Sequence, residues 1–271
     1  MARRWNIDEE QKYRTELIQL YVQANKTIDE VGEILNISPK TVFDRLKRLG
    51  IESCREKKES IYNKRRDLAL PECRSKNLSE LFGVLLGDGH ITHFQLCVTL
   101  GSKELEYAHH VSYLIETVFG KKPGLCTRKT GHRDVYLGST MITGWLLEQG
   151  LVHNKVAAQV DVPLWIFRHK TFMNAFLRGF FDTDGSIYRL RYGMQISLTN
   201  KSIPLLHSLQ QMLIELGYSP SGLSAFRVYL TKKQDVDRFF REVQPANSKH
   251  RQRYEIFKNC VGTEVVKRDA L

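Results

Sequence analysis

Cysteine is scarce and poorly placed for chemistry. The five residues Cys54, Cys73, Cys97, Cys126 and Cys260 are odd in number, widely scattered, and include no Cys-x-x-Cys pair. That spacing excludes a zinc ribbon and a dithiol redox centre, so the thiols read as reduced and mostly structural. Long apolar runs are also missing, since no stretch approaches the ~18 residues that a membrane span requires. The opening MARRWNIDEEQKYR is charged throughout and has no apolar signal core, so the expected location is intracellular, in cytoplasm, nucleoid or an organelle, neither secreted nor membrane-bound. Histidines show no zinc spacing with a cysteine partner: His90 and His93 flank one motif and His109-His110 fall on a helix. The chain does not close on a His-Asn pair, so protein splicing is not expected. Acid is in short supply. With 41 Lys and Arg against 30 Asp and Glu, the net charge is +11, which points to a polyanionic partner, nucleic acid first.

At 271 residues there is length for a full core and a second, smaller module. The first module is expected at 1–52. A helical pattern runs from Ile7 to Asn25, and a short helix opens at Thr27 with Glu30 completing a capping box and Val31, Ile34 and Leu35 inside. A third starts at Ser38-Pro39, buries Val42, Leu46 and Leu49, and stops at Gly50. This is helix-turn-helix spacing, and it would present Lys40, Thr41, Asp44, Arg45 and Arg48 to a major groove and its phosphates; the competing reading is a small bundle with a solvated charged face. Residues 53–76, with Lys64-Arg65-Arg66, read as a basic linker, either simply solvated or tracking phosphates.

Beyond the linker the chain repeats itself. LFGVLLGDG at Leu81 to Gly89 and LRGFFDTDG at Leu177 to Gly185 each end an apolar helix in Asp-Gly. The acids Asp88 and Asp184 sit where the helix dipole disfavours a carboxylate by up to ~1 kcal/mol. Capping is expected from Asn77 with Glu80 in the first copy and from Thr171 in the second. After each motif the period becomes two: Phe94, Leu96, Val98 and Leu100 oppose His93, Gln95, Cys97 and Thr99, while Met194, Ile196 and Leu198 oppose Gln195, Ser197 and Thr199. VTLGSKEL then matches ISLTNKSI, helices end at Gly120 and Gly217, Val135-Tyr136-Leu137 recurs as Val228-Tyr229-Leu230, and helices with Trp145-Leu146-Leu147 and Phe239-Phe240 follow. Each copy reads helix, hairpin, helix, hairpin, helix. The expected fold is α+β, tandem αββαββα repeats at 77–170 and 171–259 with pseudo-twofold symmetry, followed by a tail at 260–271. Gly83 and Gly87, matched by Gly179 and Thr183, allow the two motif helices to meet backbone to backbone. Asp88 and Asp184 then face each other, and two such hard oxygen ligands call for a divalent cation.

The two motifs resemble the paired signature of the LAGLIDADG homing endonucleases, in the two-repeat, single-chain form, over most of residues 77 to 259. The resemblance implies a saddle of two antiparallel sheets on double-stranded DNA, with the motif helices as its central interface. It implies that Asp88 and Asp184, each preceded by Gly87 or Thr183 at the metal site, bind Mg2+ or another divalent ion such as Mn2+, activate water and cut both strands across the minor groove. It also implies one lysine per repeat near the metal, met here by Lys155 and Lys249. Asp182, matched by Leu86 in the first copy, reads as structural. Base reading falls to Gln95, Thr99, Arg128, Gln195, Ser197, Arg227 and Tyr229, unless these are ordinary solvent-facing strand positions.

The leading expectation is a site-specific, metal-dependent DNA endonuclease acting as a monomer with internal pseudo-dimer symmetry, encoded by a mobile intron or standing free. Two alternatives stay open: a DNA-binding regulator that does not cut, and an RNA-splicing maturase.

Overall fold

In the computed structural model, residues 7–24, 26–51 and 68–266 are described, with side chains for 8–24, 26–51 and 68–259. Cys54, the Lys64-Arg65-Arg66 cluster and the expected linker up to residue 67 lie outside the described residues. The chain divides into two compact units, Met1–Tyr62 and Asn63–Leu271.

Among the described residues the first unit holds the α-helices α1 (Ile7–Leu17), α2 (Ile28–Ile34) and α3 (Pro39–Arg48). Their starts obey local chemistry. The Thr27 hydroxyl accepts from Glu30 N at 3.2 Å while the Glu30 carboxylate accepts from Thr27 N at 2.6 Å, and the Ser38 hydroxyl accepts from Thr41 N at 3.2 Å. Leu17, Val31, Val42, Leu46 and Leu49 form a core of their own. Two features depart from expectation. Residues Ile18–Gln23 continue α1 as a π-helix, which no residue in that stretch foretells. Ile34 is 51% exposed, because Val31 and Leu35, four apart, carry the apolar stripe of so short a helix.

The second unit is α+β. Its first repeat runs α4 (Lys76–Leu86), β1 (Gly89–Ile91), β2 (Gln95–Leu100), α5 (Leu105–Phe119), β3 (Gly124–Thr127), β4 (Arg133–Gly138) and α6 (Thr140–Glu148). The second runs α7 (Lys170–Asp184), β5 (Gly185–Leu190), β6 (Gly193–Thr199), α8 (Ile203–Glu215), β7 (Arg227–Leu230) and α9 (Lys233–Glu242), followed by α10 (Ser248–Val266), which crosses the boundary expected at residue 259. Two antiparallel sheets result, ordered β1-β2-β4-β3 and β5-β6-β7. Leu96, Val98 and Leu100 in one, and Met194, Ile196 and Leu198 in the other, point into a single apolar core shared with both motif helices. Phe94, expected to lead the first apolar face, precedes β2 and is exposed; its carbonyl is taken by Ser139 N at the start of α6.

The expected helix caps are corrected. α4 begins two residues early, with the Ser75 hydroxyl accepting from Leu78 N at 3.1 Å. Asn77 therefore lies within the helix, and Glu80 is buried, where it meets His110 at 2.7 Å and Arg178 at 3.3 Å. α7 begins at Lys170 with no side-chain cap, so Thr171 is internal.

The second hairpin of the second repeat is also corrected. Its outer strand is reduced to a single bridge, Ser224↔Arg227. Ser-Pro-Ser-Gly at 219–222 explains the loss, since proline lacks a ladder donor and glycine weakens extended backbone. Ser221 keeps the last trace of pairing: its N–H donates to Tyr229 O at 2.9 Å and its hydroxyl accepts from Tyr229 N at 3.0 Å. The bridge closes a two-residue turn whose central residues, Ala225 (φ 47°) and Phe226 (φ 62°), are both left-handed. Non-glycine residues pay roughly 1–2 kcal/mol each for that conformation.

The centre of the unit is the packing of α4 on α7. A methyl group built on Gly83 would lie 2.2 Å from Phe176 O, one on Gly179 2.1 Å from Glu80 O, and one on Gly87 1.9 Å from Thr183 Oγ1. At Gly83 and Gly179 the helices touch through their backbones, and at Gly87 through the Thr183 side chain. Gly83→Ala and Gly179→Ala should each lower unfolding stability by about 1–3 kcal/mol or more, with urea denaturation as the readout. Gly144→Ala in α6, where a methyl group meets nothing within 4 Å, is the control and should be neutral or stabilising.

Candidate active site

Because Gly87 packs on Thr183, the residues that follow them, Asp88 and Asp184, leave the paired helices at the same end. The Asp184 carboxyl senses the charge of Asp88. Asp184 is pushed up to about 6, first by burial and then by the charge of Asp88, while Asn200 opposes the shift by donating Nδ2–H to its Oδ2 at 3.0 Å. Asp88 keeps an open side to solvent, yet it too is raised, by partial burial and then by Glu104.

Lys155 lies across the end of α4. Its ammonium donates to Leu85 O at 3.0 Å, to Leu86 O at 3.2 Å and to Gly87 O. These are the orphan carbonyls of a helix end, where a cation is favoured. Burial lowers the Lys155 pKa, and Asp184 and Asp88 work against that shift. Lys249, its expected counterpart, is placed otherwise: it donates to Glu104 Oε1 at 2.7 Å. Asn247 shares that oxygen at 2.8 Å and also donates to Asp182 O at 3.1 Å. Burial alone would raise Glu104, but the hydrogen bonds from Lys249, Asn247 and Gly101 N hold it below the usual carboxylate range. The two lysines thus come to the same end of the paired helices by unlike routes, one through helix carbonyls and one through a cross-repeat ion pair.

Asp182 is 1% exposed, accepts from Ala246 N at 2.7 Å through Oδ2, and is raised to about 7 by burial. It anchors the segment carrying Asn247 and Lys249, in keeping with a structural reading. Glu104, Asn247 and Asn200 were not singled out from sequence. Aligning the repeats sets Glu104 against Ser202, so a search for matched pairs passes over it.

The pair Asp88 and Asp184 suits a hard divalent cation: both carboxyls are raised, Asp184 in part by the charge of Asp88, and a positive charge between them relieves that cost. Among the described residues no three His, Cys, Asp or Glu side chains cluster as ligands, so the remaining coordination would fall to carbonyls, water and phosphate oxygens. The Thr183 hydroxyl turns back to Gly179 O and Phe180 O, leaving only its carbonyl for that purpose. The Gly87 carbonyl already accepts from Lys155.

The residues expected to touch DNA are unequal. Arg227 is exposed, and Tyr229 and Gln195 are partly exposed, Gln195 donating to Thr231 Oγ1 at 3.0 Å. Gln95 is partly exposed. Thr99 and Arg128 both hold Asp134, at 2.7 Å and 2.6 Å, so they present a tied cluster rather than separate side chains. Ser197 is corrected: it is 0% exposed, mid-strand in the central strand of its sheet, and unavailable to a base edge. In the first unit Lys40 and Arg48 are exposed, Thr41 is engaged with the Ser38 hydroxyl, and the Arg45 guanidinium lies 4.2 Å from the Tyr13 ring centre. A cavity of about 620 Å³ bordered by Arg178, Phe240, Arg241 and Tyr254 includes none of Asp88, Asp184, Lys155 or Lys249 in its wall.

Residues 171–244, most of the second repeat, match the family described as the LAGLIDADG-like domain. No curated protein matches the chain by sequence. Among solved structures, I-DmoI in complex with DNA and Mn aligns with 62% of this chain and 96% of its own, at 15% identity and a TM-score of 0.45. Full-length DUF199/WhiA from Thermatoga maritima aligns over 74% of this chain and 68% of its own, at 16% and 0.45. The homing endonuclease I-WcaI bound to its DNA recognition sequence aligns over 64% and 83%, at 16% and 0.43. At such identities and scores neither cutting nor its absence follows from the likeness.

The raised pKa of Asp184 has a stability signature. Its folded value of about 6 exceeds the ~3.9 of an unfolded aspartate, so its contribution is present at low pH and is lost as pH rises through that window. In metal-free buffer, Asp184→Asn should therefore raise Tm above the wild-type chain by a few degrees at pH 8 and leave the gap near zero at pH 4. A gap that does not change with pH would contradict the assignment.

Proposed function

We propose that this chain is a site-specific, divalent-metal-dependent endonuclease of double-stranded DNA. The observation that carries the reading is the convergence of Asp88 and Asp184, one from each motif helix, at a backbone-to-backbone crossing in a protein of net charge +11. Mg2+ is the favoured ion, with Mn2+ as a substitute, because the donors are oxygen and too few to complete a shell without water and phosphate.

When bound, the cation supplies Lewis-acid stabilisation of charge on the phosphate under attack. The protein's part is placement. Asp88 and Asp184 hold the ion, and Asn200 fixes the orientation of the Asp184 carboxylate. The Lys155 ammonium, already seated at the end of α4, stands where it offsets negative charge gathering on the phosphate. Lys249 serves the other repeat from its ion pair with Glu104. Arg227 reaches phosphates along the second sheet, and Lys40 and Arg48 of the first unit add contacts that strengthen binding without themselves cutting. Each repeat serves one strand, so a single chain suffices for a double-strand break.

A second reading, DNA binding without cutting, is favoured by one observation: Glu104 ties up the Lys249 ammonium. The same experiment decides between them. With a duplex selected by the chain from a randomised library and with Mg2+, the wild-type chain should break both strands and EDTA should stop it. Asp88→Asn and Asp184→Asn should each lower the rate by at least about 100-fold. Both variants should bind as tightly or tighter, since each removes negative charge from beside phosphates. Tight binding with no cleavage by the wild-type chain would establish the second reading.

A further inference from the structure

The turn that replaces the missing strand is built against its own stability. Ser224 and Arg227 exchange both backbone hydrogen bonds at 3.0 Å, which leaves Ala225 and Phe226 as a two-residue hairpin loop with positive φ at both positions. Such loops are the domain of Asn-Gly and Gly-Gly, because only these residues accept that backbone at little cost. This chain puts a phenylalanine there, and 52% of it remains exposed, so burial does not recover the strain. A left-handed bulky residue that is also unburied is explained by neither packing nor turn preference, and such outliers gather at functional surfaces.

Its position says which surface. The Phe226 carbonyl accepts from Asn200 N at 3.1 Å, and the Asn200 side chain donates to Asp184 Oδ2 at 3.0 Å. The turn is therefore two hydrogen bonds from one of the paired acids, at the end of the second sheet nearest the α4–α7 crossing, and the exposed Arg227 follows it. The first repeat differs. Aligning Val135-Tyr136-Leu137 with Val228-Tyr229-Leu230 sets Arg133 against Phe226, and Arg133 turns inward to donate to Gly101 O at 3.5 Å and to Ser102 O. The polar loop Lys129-Thr130-Gly131-His132 stands before it. One repeat offers a polar loop with one lysine at this place and the other offers an aromatic ring.

We propose that Phe226 is an apolar wedge that docks against duplex DNA at the base step beside the phosphate served by Asp184. An exposed ring beside an arginine suits a groove contact that partly unstacks a step, and pyrimidine–purine steps yield to this most readily. Phe226 thereby contributes a preference for TA or CA at that step through deformability rather than hydrogen bonding. The inference rests on the reading of this face as a DNA surface, but it does not require that the chain cut.

The test uses the full chain without divalent metal, on duplexes of about 30 base pairs selected by the wild-type chain, with the central steps varied and salt titrated. The variants are Phe226→Gly, the double change Ala225→Asn with Phe226→Gly, and Phe226→Leu. The two glycine variants fit the turn better, so their Tm should equal or exceed that of the wild-type chain. They should lose about tenfold in affinity for duplexes with a TA or CA step and lose the preference over other steps, while the slope of log affinity against log salt stays unchanged, as an uncharged contact requires. Phe226→Leu should keep most of both. A fall in Tm for the double variant would show that the ring is packing, and unchanged affinity and step preference would show that it does not touch DNA; either result overturns the inference alone. If the wild-type chain binds no duplex, the DNA reading fails and the wedge falls with it.

Discussion

Everything in the second unit depends on the absence of side chains at Gly83 and Gly179. The separation of α4 and α7 is set by carbonyl oxygens lying where methyl groups would be, and that separation decides where the helices end relative to each other. Asp88 and Asp184 inherit their meeting from it. So does the desolvation they share, since the same contact that brings the acids together brings the apolar core of both repeats up behind them. A carboxylate at a helix C-terminus is unfavourable, and a second one beside it is worse. The protein answers with the Lys155 ammonium on the carbonyls of α4 and the Asn200 amide on Asp184. These groups lessen the unfavourable charge and leave it unneutralised.

The two halves solve the same problem with different parts. In the first repeat the cation is fixed by backbone, three consecutive carbonyls that any sequence would supply. In the second it is fixed by side chains, through Glu104, Asn247 and Lys249, and Glu104 comes from the other repeat. The reverse crossing is uncharged: Ser202, aligned with Glu104, donates to Val160 O of the first repeat, and Gln159 accepts from Ile203 N. Asp182 underpins the tie to Glu104 by holding Ala246, which explains why the second motif carries an acid where the first has Leu86.

Much of this was legible in the residues. The repeat placed both motif helices, the alternating strands and the contact between glycines, because spacing and small size are properties that sequence states directly. Capping was legible where it was purely local, at Thr27 and Ser38. It was misread at Asn77 and Glu80, where a buried carboxylate is needed by His110 and Arg178, residues 30 and 98 positions away. Symmetry, the best guide to Asp88 and Asp184, was a poor guide to Glu104 and to the lost strand at residues 219–224, since both are places where the copies differ. Ser197 shows a further limit. Alternation assigns a face, and only the neighbours decide whether that face is open.

The contact at Gly83 and Gly179 also constrains what sequence change can repair. When two side chains clash, shrinking either one restores the fit. Here the atoms in the way are the Phe176 and Glu80 carbonyl oxygens and the Phe180 and Val84 backbone nitrogens, which are present whatever residue occupies those positions. A lineage that lost either glycine would find no compensating substitution across the joint. Reversion, or a shift of one whole helix against the other, would be the ways back.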